Sequence, residues 1–229
     1  MKKIFGLIPA AGIGARMRAD RPKQYLSLGS LTLLERSVQC LLADARVARV
    51  FVVVARDDTL APSLALPGRC EILFAGGATR AQTVRNGLRA VQGIAAGDDW
   101  VLVHDAARPC LEPAELAALI DGGGGDEHGG LLALPVSDTV KRERAGRVAQ
   151  TVERDGLWRA LTPQFFRVDV LARALEQDTE AATITDESAA VERLGLHPRL
   201  IAGAPGNIKV TTAPDLLLAE AILRQQGRW

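Results

Sequence analysis

The chain has few aromatic residues and almost no net charge. Aromatics make up 4% of its 229 residues, so the stacked side chains on which single-stranded nucleic acids bind are scarce. Lysine and arginine (28) nearly balance aspartate and glutamate (27), which leaves a formal net charge of +1. Proteins that bind along a nucleic-acid backbone carry a clear basic excess. Nucleic-acid binding is therefore disfavoured, and any anion site must be a local cluster of cations.

Cysteines and histidines are few and widely spaced. Cys40, Cys70 and Cys110 form no Cys-x-x-Cys pair, which argues against a disulfide framework and against a thiolate zinc site. The three histidines show no His-x-x-x-His spacing, so metal binding through imidazole has little support. We interpret the cysteines as incidental or buried thiols in a reducing compartment.

Long hydrophobic runs are also missing from the sequence. No apolar stretch approaches the roughly 20 residues that a helix needs to cross a bilayer. Lys2 and Lys3 precede a short apolar run that imitates a signal peptide, but the run continues directly into the glycines of a candidate ligand loop. We predict a cytoplasmic protein without a membrane partner.

Short apolar runs alternate with helical patterns over the first 135 residues. This alternation predicts an α/β fold with a mainly parallel sheet covered by helices on both faces. The predicted strands are Lys3–Ile8, Arg49–Val54, Glu71–Phe74, Trp100–His104 and Gly130–Pro135. The predicted helices are Leu33–Leu42, Thr59–Leu64, Arg80–Val91 and one that begins at Glu112–Pro113, followed by a glycine-rich loop over Asp121–Asp126.

The segment Val136–Val152 differs from the rest. Its charged centre and β-branched flanks predict a two-stranded ribbon that turns near Ala145–Gly146. An isolated hairpin is marginally stable in water, so this one must lean on the parent domain or on a second subunit. We expect one domain over residues 1–229 with a projecting β-arm at roughly 136–156. The remaining predicted elements are helices at Val168–Glu176, Asp186–Leu194 and Pro214–Gln225 and strands at Arg199–Ala202 and Ile208–Val210.

A glycine turn follows the first predicted strand. Gly12 and Gly14 allow backbone N–H groups to approach an anion, and Arg16 and Lys23 add nearby cations. The P-loop string is absent, and Met17 occupies the third glycine position of the dinucleotide-binding pattern. The combined pattern resembles that of nucleotidyltransferases that join a sugar or polyol phosphate to a nucleotide.

Further strings extend this resemblance over most of the chain. Together they closely resemble the 2-C-methyl-D-erythritol 4-phosphate cytidylyltransferase family, from Lys3 to about Leu218. The strings are Pro9–Met17, Pro22–Tyr25, His104–Pro109, Leu161–Phe165, Thr183–Glu187 and Asn207–Thr211.

The resemblance implies an activity and an architecture. It implies transfer of CMP from CTP to the polyol phosphate, with release of pyrophosphate and a need for a divalent ion, usually Mg²⁺. It also implies a Rossmann-like nucleotidyltransferase fold whose projecting β-arm joins two subunits into a homodimer.

The resemblance also assigns roles to individual residues. Arg16 and Lys23 match cations that stabilise charge on the triphosphate, and Arg154 and Lys209 match the pair that orients the substrate phosphate. Asp105 matches an acid beside the phosphates and the metal. Other matched positions contact the nucleotide (Ala10, Ala11, Gly12, Gly76, Gly77, Arg80, Thr83) or line the polyol-phosphate pocket (Ala106, Arg108, Thr139, Thr162, Thr185).

Two positions depart from the family pattern. Ala78 stands where many relatives carry an acid, and Thr83 stands where they carry serine. Threonine keeps the hydroxyl, whereas alanine loses a side-chain contact, so selection of cytosine must rest more on backbone groups.

Three alternatives remain open at this point. The first is a cytidylyltransferase for another polyol phosphate, such as ribitol 5-phosphate. The second is a non-catalytic NADP-binding module that uses Gly12, Gly14 and Arg56. The third is a non-catalytic protein whose arm serves to form a dimer. This alternative does not explain the four cations Arg16, Lys23, Arg154 and Lys209.

Overall fold

A seven-stranded, mainly parallel sheet forms the centre of the molecule. The computed structural model describes residues 2–12, 21–176 and 184–229. The strands are β1 (Ile4–Pro9), β4 (Val47–Val54), β5 (Cys70–Phe74), β6 (Trp100–Val103), β7 (Gly130–Pro135), β10 (Trp158–Arg167) and β11 (Arg199–Ala202). Their order across the sheet is β11-β7-β10-β6-β1-β4-β5, and β10 runs antiparallel to both of its neighbours.

Helices cover both faces of this sheet, so the predicted Rossmann-like α/β fold is confirmed. The helices are α1 (Leu33–Leu42), α2 (Arg80–Gln92), α3 (Pro113–Gly123), α4 (Val168–Glu176), α5 (Glu187–Glu192) and α6 (Ala213–Gln225). Helices α1 and α3 pack on one face, and α2, α4 and α5 pack on the other. Helix α6 packs in a smaller cluster beside α1 and the loop after β6.

The two faces follow from the period-two geometry of the central strands. Along β1, Ile4 and Ile8 join the cluster with α1, whereas Phe5 and Leu7 join the cluster with α2. Residues of β4 alternate in the same way between the two clusters. Successive side chains of a strand point to opposite faces, so a strand buried on both faces must be apolar throughout.

Three predicted elements differ in kind or extent from those in the structure. The helix predicted at Thr59–Leu64 is a 3₁₀ turn at Ala61–Ser63, which contains a proline and therefore lacks one backbone donor. The strand predicted at Ile208–Val210 is an irregular segment, in which the Val210 N–H donates to the carbonyl of Ala107 in a loop. The predicted glycine loop is partly helical, because α3 continues to Gly123.

Strand β10 was not predicted from the sequence. Its pairing with β7 shifts register between Ala160 and Gln164, around Pro163. Proline cannot donate to a strand ladder, and it breaks the apolar pattern by which strands are found. β10 nevertheless lies in the interior of the described sheet, between β7 and β6.

The predicted β-arm is a separate two-stranded sheet formed by β8 (Val140–Arg144) and β9 (Arg147–Val152). The turn occurs at Ala145 and Gly146, as predicted, with φ values of 52° and 74°. Positive φ at both central residues is the geometry that matches the twist of a tight hairpin. All residues from 141 to 151 are exposed. A further two-residue strand pair, β2 (Ser27–Leu28) and β3 (Leu31–Thr32), precedes α1.

Candidate functional site

A cleft of about 610 Å³ opens at the C-terminal edge of the parallel strands. It lies where β1, β5 and β6 end and α2 begins, which is the usual ligand position in open α/β sheets. Its lining comprises residues 9–12 after β1, Lys23 and Gln24, residues 77–80 and Thr83 at the start of α2, Asp105–Ala107 after β6, and Lys209 and Thr211.

Two adjacent glycines, Gly76 and Gly77, form the loop between β5 and α2 beside the cleft. A Cβ on Gly76 would lie 2.5 Å from the Cβ of Ala11, so glycine allows this loop to approach the loop after β1. The Gly77 N–H donates to the hydroxyl of Thr83 (3.1 Å), and that hydroxyl donates to the carbonyl of Thr79 (3.0 Å). The Thr83 hydroxyl is therefore already used to hold the glycine loop against the first turn of the helix.

One buried carboxylate, Asp105, collects three cations. Its oxygens lie 2.8 Å from Lys209 Nζ, 3.1 Å from Arg80 Nε and 3.6 Å from Arg108 Nε. Burial alone would raise the pKa of Asp105, but the positive charges of Arg80 and Lys209 outweigh it and hold that pKa well below its usual range. Asp105 is thus an ionised carboxylate within a positively charged cluster.

Glu187 is a member of this cluster that sequence reasoning did not assign. Its two carboxylate oxygens accept from Arg80 Nη1 (2.6 Å) and Nη2 (3.1 Å), and the residue is 1% exposed. Burial would lower the pKa of Arg80, but the charges of Glu187 and Asp105 raise it. Glu187 ends the Thr183–Glu187 string that resembles the family, and it is also an acid in the first turn of a helix, which is ordinary for a surface helix.

Lys23 and Gln24 occupy a 3₁₀ turn, Lys23–Tyr25, and both line the cleft. Lys23 Nζ donates to the carbonyl of Val210 at 2.9 Å, next to Lys209 in the chain. Gln24 is buried, and its amide donates to the carbonyl of Ala10 at 2.7 Å. Gln24 was not singled out from the sequence, yet it fixes the loop after β1 to the turn that carries Lys23.

Arg108 and Thr162 lie beneath the cleft and do not line it. Arg108 Nη1 donates to the carbonyl of Asn207 at 2.7 Å, and the Asn207 amide donates to the carbonyl of Thr162 at 3.0 Å. Both Arg108 and Thr162 are buried. In this chain they connect the loop after β6 with β10 and with the segment that leads to Lys209.

Three predicted site residues that the structure describes, Thr139, Arg154 and Thr185, do not line the cleft. Thr139 and Arg154 are exposed at the base of the β-arm, where an Arg154 guanidinium N–H donates to the carbonyl of Ser137. Thr185 is exposed just before α5, and it does not line the cleft either. Arg16 lies outside the described residues. The structure therefore places Ala10, Ala11, Gly12, Lys23, Gly77, Arg80, Thr83, Asp105, Ala106 and Lys209 around one cavity.

Over residues 2–12, 21–176 and 184–229, no three His, Cys, Asp or Glu side chains gather in a way that could hold a metal ion by themselves. Within those same ranges, the helices are too short or too polar to span a bilayer.

Comparisons with known proteins agree with one another. The family model IspD, 2-C-methyl-D-erythritol 4-phosphate cytidylyltransferase, matches residues 4–225. An enzyme of that name from Laribacter hongkongensis is 56% identical over 226 residues, with 97% of each chain covered. A crystal structure of a 4-diphosphocytidyl-2C-methyl-D-erythritol synthase is 43% identical with a TM-score of 0.86, covering 97% of this chain and 99% of that one. A Francisella tularensis structure of the IspD enzyme is 32% identical with a TM-score of 0.85, covering 96% and 100%.

The family model spans nearly the whole chain, and the relatives align from end to end at high identity. This chain belongs to the 2-C-methyl-D-erythritol 4-phosphate cytidylyltransferase (IspD) family.

Proposed function

We propose that this chain transfers CMP from CTP to 2-C-methyl-D-erythritol 4-phosphate. The products are pyrophosphate and 4-diphosphocytidyl-2-C-methyl-D-erythritol, a precursor in non-mevalonate isoprenoid biosynthesis. The observation that carries the proposal is the convergence of Lys23, Arg80 and Lys209 on one cleft at the C-terminal edge of the sheet. Both reactants are anions and repel each other, so a site that brings them together needs such a concentration of positive charge.

In the proposed reaction, an oxygen of the acceptor phosphate forms a bond to the α-phosphorus of CTP. The bond from that phosphorus to the bridging oxygen breaks, and pyrophosphate leaves with the electron pair. Positioning and neutralisation of charge account for most catalysis of this kind. We assign Arg16 and Lys23 to the triphosphate, where they stabilise the charge that grows during attack and on the leaving group.

Lys209 and Arg154 are assigned to the acceptor phosphate. Lys209 is held beside Asp105 at the cleft, where its ammonium can contact an incoming phosphate. We further assign Asp105, Ala106, Arg108, Thr139, Thr162 and Thr185 to the surroundings of the polyol phosphate. Arg108 and Thr162 would act there from below, through the loop that they hold.

The nucleotide is assigned to the wall formed by the loops after β1 and β5. Ala11 and Gly12 offer backbone groups at the cleft, and Gly76 lets the second loop approach them. Ala10 is assigned to this wall as a lining residue, since its N–H and carbonyl already bond to Val53 and Gln24. Gly77, Arg80 and Thr83 complete this wall at the start of α2. Ala78 has no polar side chain, and its N–H already donates to the Gln82 side chain at 2.9 Å.

A magnesium ion is the cofactor that this chemistry requires in our proposal. Asp105 is an ionised carboxylate at the cleft, which suits an ion that takes most of its ligands from phosphates and water. When bound, the ion supplies neutralisation of phosphate charge. Asp105 is the described residue that we assign to hold it.

The proposed activity is tested by incubating the protein with CTP, Mg²⁺ and each of two acceptors. We expect pyrophosphate release with 2-C-methyl-D-erythritol 4-phosphate and little with ribitol 5-phosphate. Equal or greater pyrophosphate release with ribitol 5-phosphate would show that the chain acts on that acceptor instead. Dinucleotide binding without pyrophosphate release would favour a non-catalytic module.

Lys209→Ala is expected to impair chiefly the use of the polyol phosphate. The substitution removes an ammonium that we assign to the acceptor, so KM for 2-C-methyl-D-erythritol 4-phosphate rises while KM for CTP changes little. Steady-state kinetics with each substrate varied in turn provides the measurement. A defect confined to CTP would contradict the assignment.

The arm is proposed to complete the site of a second subunit in a cytoplasmic homodimer. Arg154 and Thr139 lie outside the cleft of their own chain, and the arm residues 141–151 are exposed on both strands. In this arrangement, residues 1–229 form one nucleotidyltransferase domain with a dimerisation arm at roughly 136–156. An isologous pair of arms would carry each Arg154 to the other subunit.

Mixing two inactive variants tests this arrangement. Lys23→Ala and Arg154→Ala chains are each expected to be strongly impaired alone. If Arg154 acts across the interface, a mixed dimer has one site with both cations intact, and a random equal mixture recovers about a quarter of wild-type activity. If Arg154 acts within its own chain, the mixture recovers none. Wild-type and variant chains carried through the same dissociation and reassembly serve as controls.

A further inference from the structure

The loop after β6 is held from several directions. The Asp105 N–H donates to the hydroxyl of Thr162 at 3.0 Å, on β10. The carbonyl of Ala106 accepts from the Ser37 hydroxyl at 3.1 Å, and the carbonyl of Ala107 accepts from the Val210 N–H at 2.8 Å. Because this loop carries both Asp105 and Arg108, its backbone sets where these two side chains begin.

His104 closes this loop from the inside. The residue is fully buried and does not line the cleft. Its Nε2 lies 3.1 Å from the carbonyl oxygen of Arg108, and its Nδ1 lies 3.0 Å from the Thr162 hydroxyl. One imidazole therefore joins both ends of the turn to β10.

The partners of His104 determine its tautomer. A carbonyl oxygen only accepts, so Nε2 must carry the proton that is donated to Arg108. In a neutral imidazole Nδ1 then has no proton, and it accepts from the Thr162 hydroxyl. The same hydroxyl accepts from the Asp105 N–H, so its single proton and its facing lone pair are both used.

The surroundings of His104 favour an uncharged imidazole, because the residue is fully buried beside a cluster of cations. A charged imidazole would add a further positive charge next to Arg108, within a cluster that already holds Arg80 and Lys209. The neutral form also leaves each hydrogen bond with one donor and one acceptor.

We propose that His104 is a positioning residue for the transfer reaction, which fixes Asp105 and Arg108 through hydrogen bonds made in a single tautomer, with Thr162 as its intermediary. The activity part of this inference rests on the proposed function. Thr162 accordingly acts on the loop backbone from below the cleft, because its hydroxyl is already committed on both sides.

The tautomer is tested by ¹⁵N NMR of the imidazole nitrogens in the full chain. The three histidines are assigned by comparing spectra of the single His→Asn variants. We expect His104 to show a protonated Nε2 and an unprotonated Nδ1, as its hydrogen bonds to the Arg108 carbonyl and the Thr162 hydroxyl require. Thr162→Val should shift the Nδ1 resonance by removing its donor. An Nδ1–H tautomer would overturn the proposal.

Kinetics of His104 variants test the positioning role. His104→Leu removes both hydrogen bonds, and we expect it to lower kcat on the order of 10²-fold, the cost of a small misplacement of reacting groups. KM for CTP should change less than kcat, because His104 is not bonded to the loops after β1 and β5 and Arg80 is also held by Glu187. His104→Asn keeps an amide near the position of Nδ1 and should recover part of the loss. His197→Asn, at an exposed histidine, is the matched control and should match wild type.

The outcomes separate the two proposals. Absence of pyrophosphate release by the wild-type chain would defeat the proposed function and leave the NMR result to decide the tautomer. An active wild type together with a fully active His104→Leu would overturn the positioning role. If His104→Leu does not fold, the folded His104→Asn decides the matter, since full wild-type kcat in that variant would likewise overturn it.

Discussion

Lys23→Ala should lower kcat by on the order of 10²–10³-fold, the usual cost of removing one positioned donor from a site of charge stabilisation. Lys23 lines the cleft, and its ammonium donates to the carbonyl of Val210, adjacent to Lys209. In the role that we propose for Lys23, the charge that it meets increases as pyrophosphate begins to leave, so its interaction would be stronger in the transition state than with bound CTP. We therefore expect CTP affinity to change much less than turnover.

Steady-state kinetics and calorimetric CTP titration measure the two quantities separately. Lys2→Ala is a matched control, because Lys2 forms an exposed ion pair with Asp98 at 2.6 Å, far from the cleft lining. Turnover of Lys23→Ala close to that of the control would remove Lys23 from the catalytic cations. A loss of CTP affinity as large as the loss of kcat would instead assign Lys23 to ground-state binding.

Asp105→Asn should abolish most activity and also destabilise the fold. The substitution preserves shape but leaves Arg80, Arg108 and Lys209 without the carboxylate that they share. Breaking a buried ion pair on one side costs roughly 3–5 kcal/mol. We expect the lower end, about 3 kcal/mol, because Glu187 still balances Arg80 and the Lys209 side chain is 40% exposed.

The stability effect has a defined dependence on pH. The pKa of Asp105 is held well below its unfolded-state value of about 4, so its contribution is fully present above that value. The contribution is lost as the pH falls through the lower, folded-state pKa. The difference in unfolding free energy between wild type and Asp105→Asn should therefore be constant above about pH 5 and shrink below about pH 4.

Urea unfolding at a series of pH values measures this difference. Asp98→Asn is the control, since Asp98 is an exposed carboxylate paired with Lys2, and it should change stability little at any pH. A difference for Asp105→Asn that stays constant down to the lowest pH would show that the carboxylate charge does not supply the stability.

The parts of the fold that sequence predicted well have a local cause. Strands β1, β4 and β6 are apolar on both faces and too short for helices, so their composition alone identifies them. The arm turn was also predictable, because Ala145–Gly146 lies between two β-branched runs. β10 carries Thr162, Pro163 and Gln164 within a strand, and no local pattern identifies such a segment.

The residues of the candidate site likewise divide into those that the sequence predicts and those that it does not. Asp105 and Lys209 stand in strings whose order along the chain resembles a known family, and the fold brings them within 2.8 Å. Glu187 and Gln24 act through partners that are distant in sequence, at Arg80 and Ala10. Contacts of this kind depend on how α5 and the 3₁₀ turn are placed by packing, and a single sequence does not encode that placement in any short pattern.

The base of the arm has a consequence for how such a chain can vary. Trp158 pairs with Pro135, and the Val136 N–H donates to the carbonyl of Leu157 at 2.9 Å. The two ends of the arm therefore lie side by side on the neighbouring antiparallel strands β7 and β10. Insertions or deletions beyond this point leave the register of β7 and β10 untouched. The hairpin strands β8 and β9 can therefore vary in length without disturbing the central sheet, provided that the base of the arm, with Thr139 and Arg154, keeps its place.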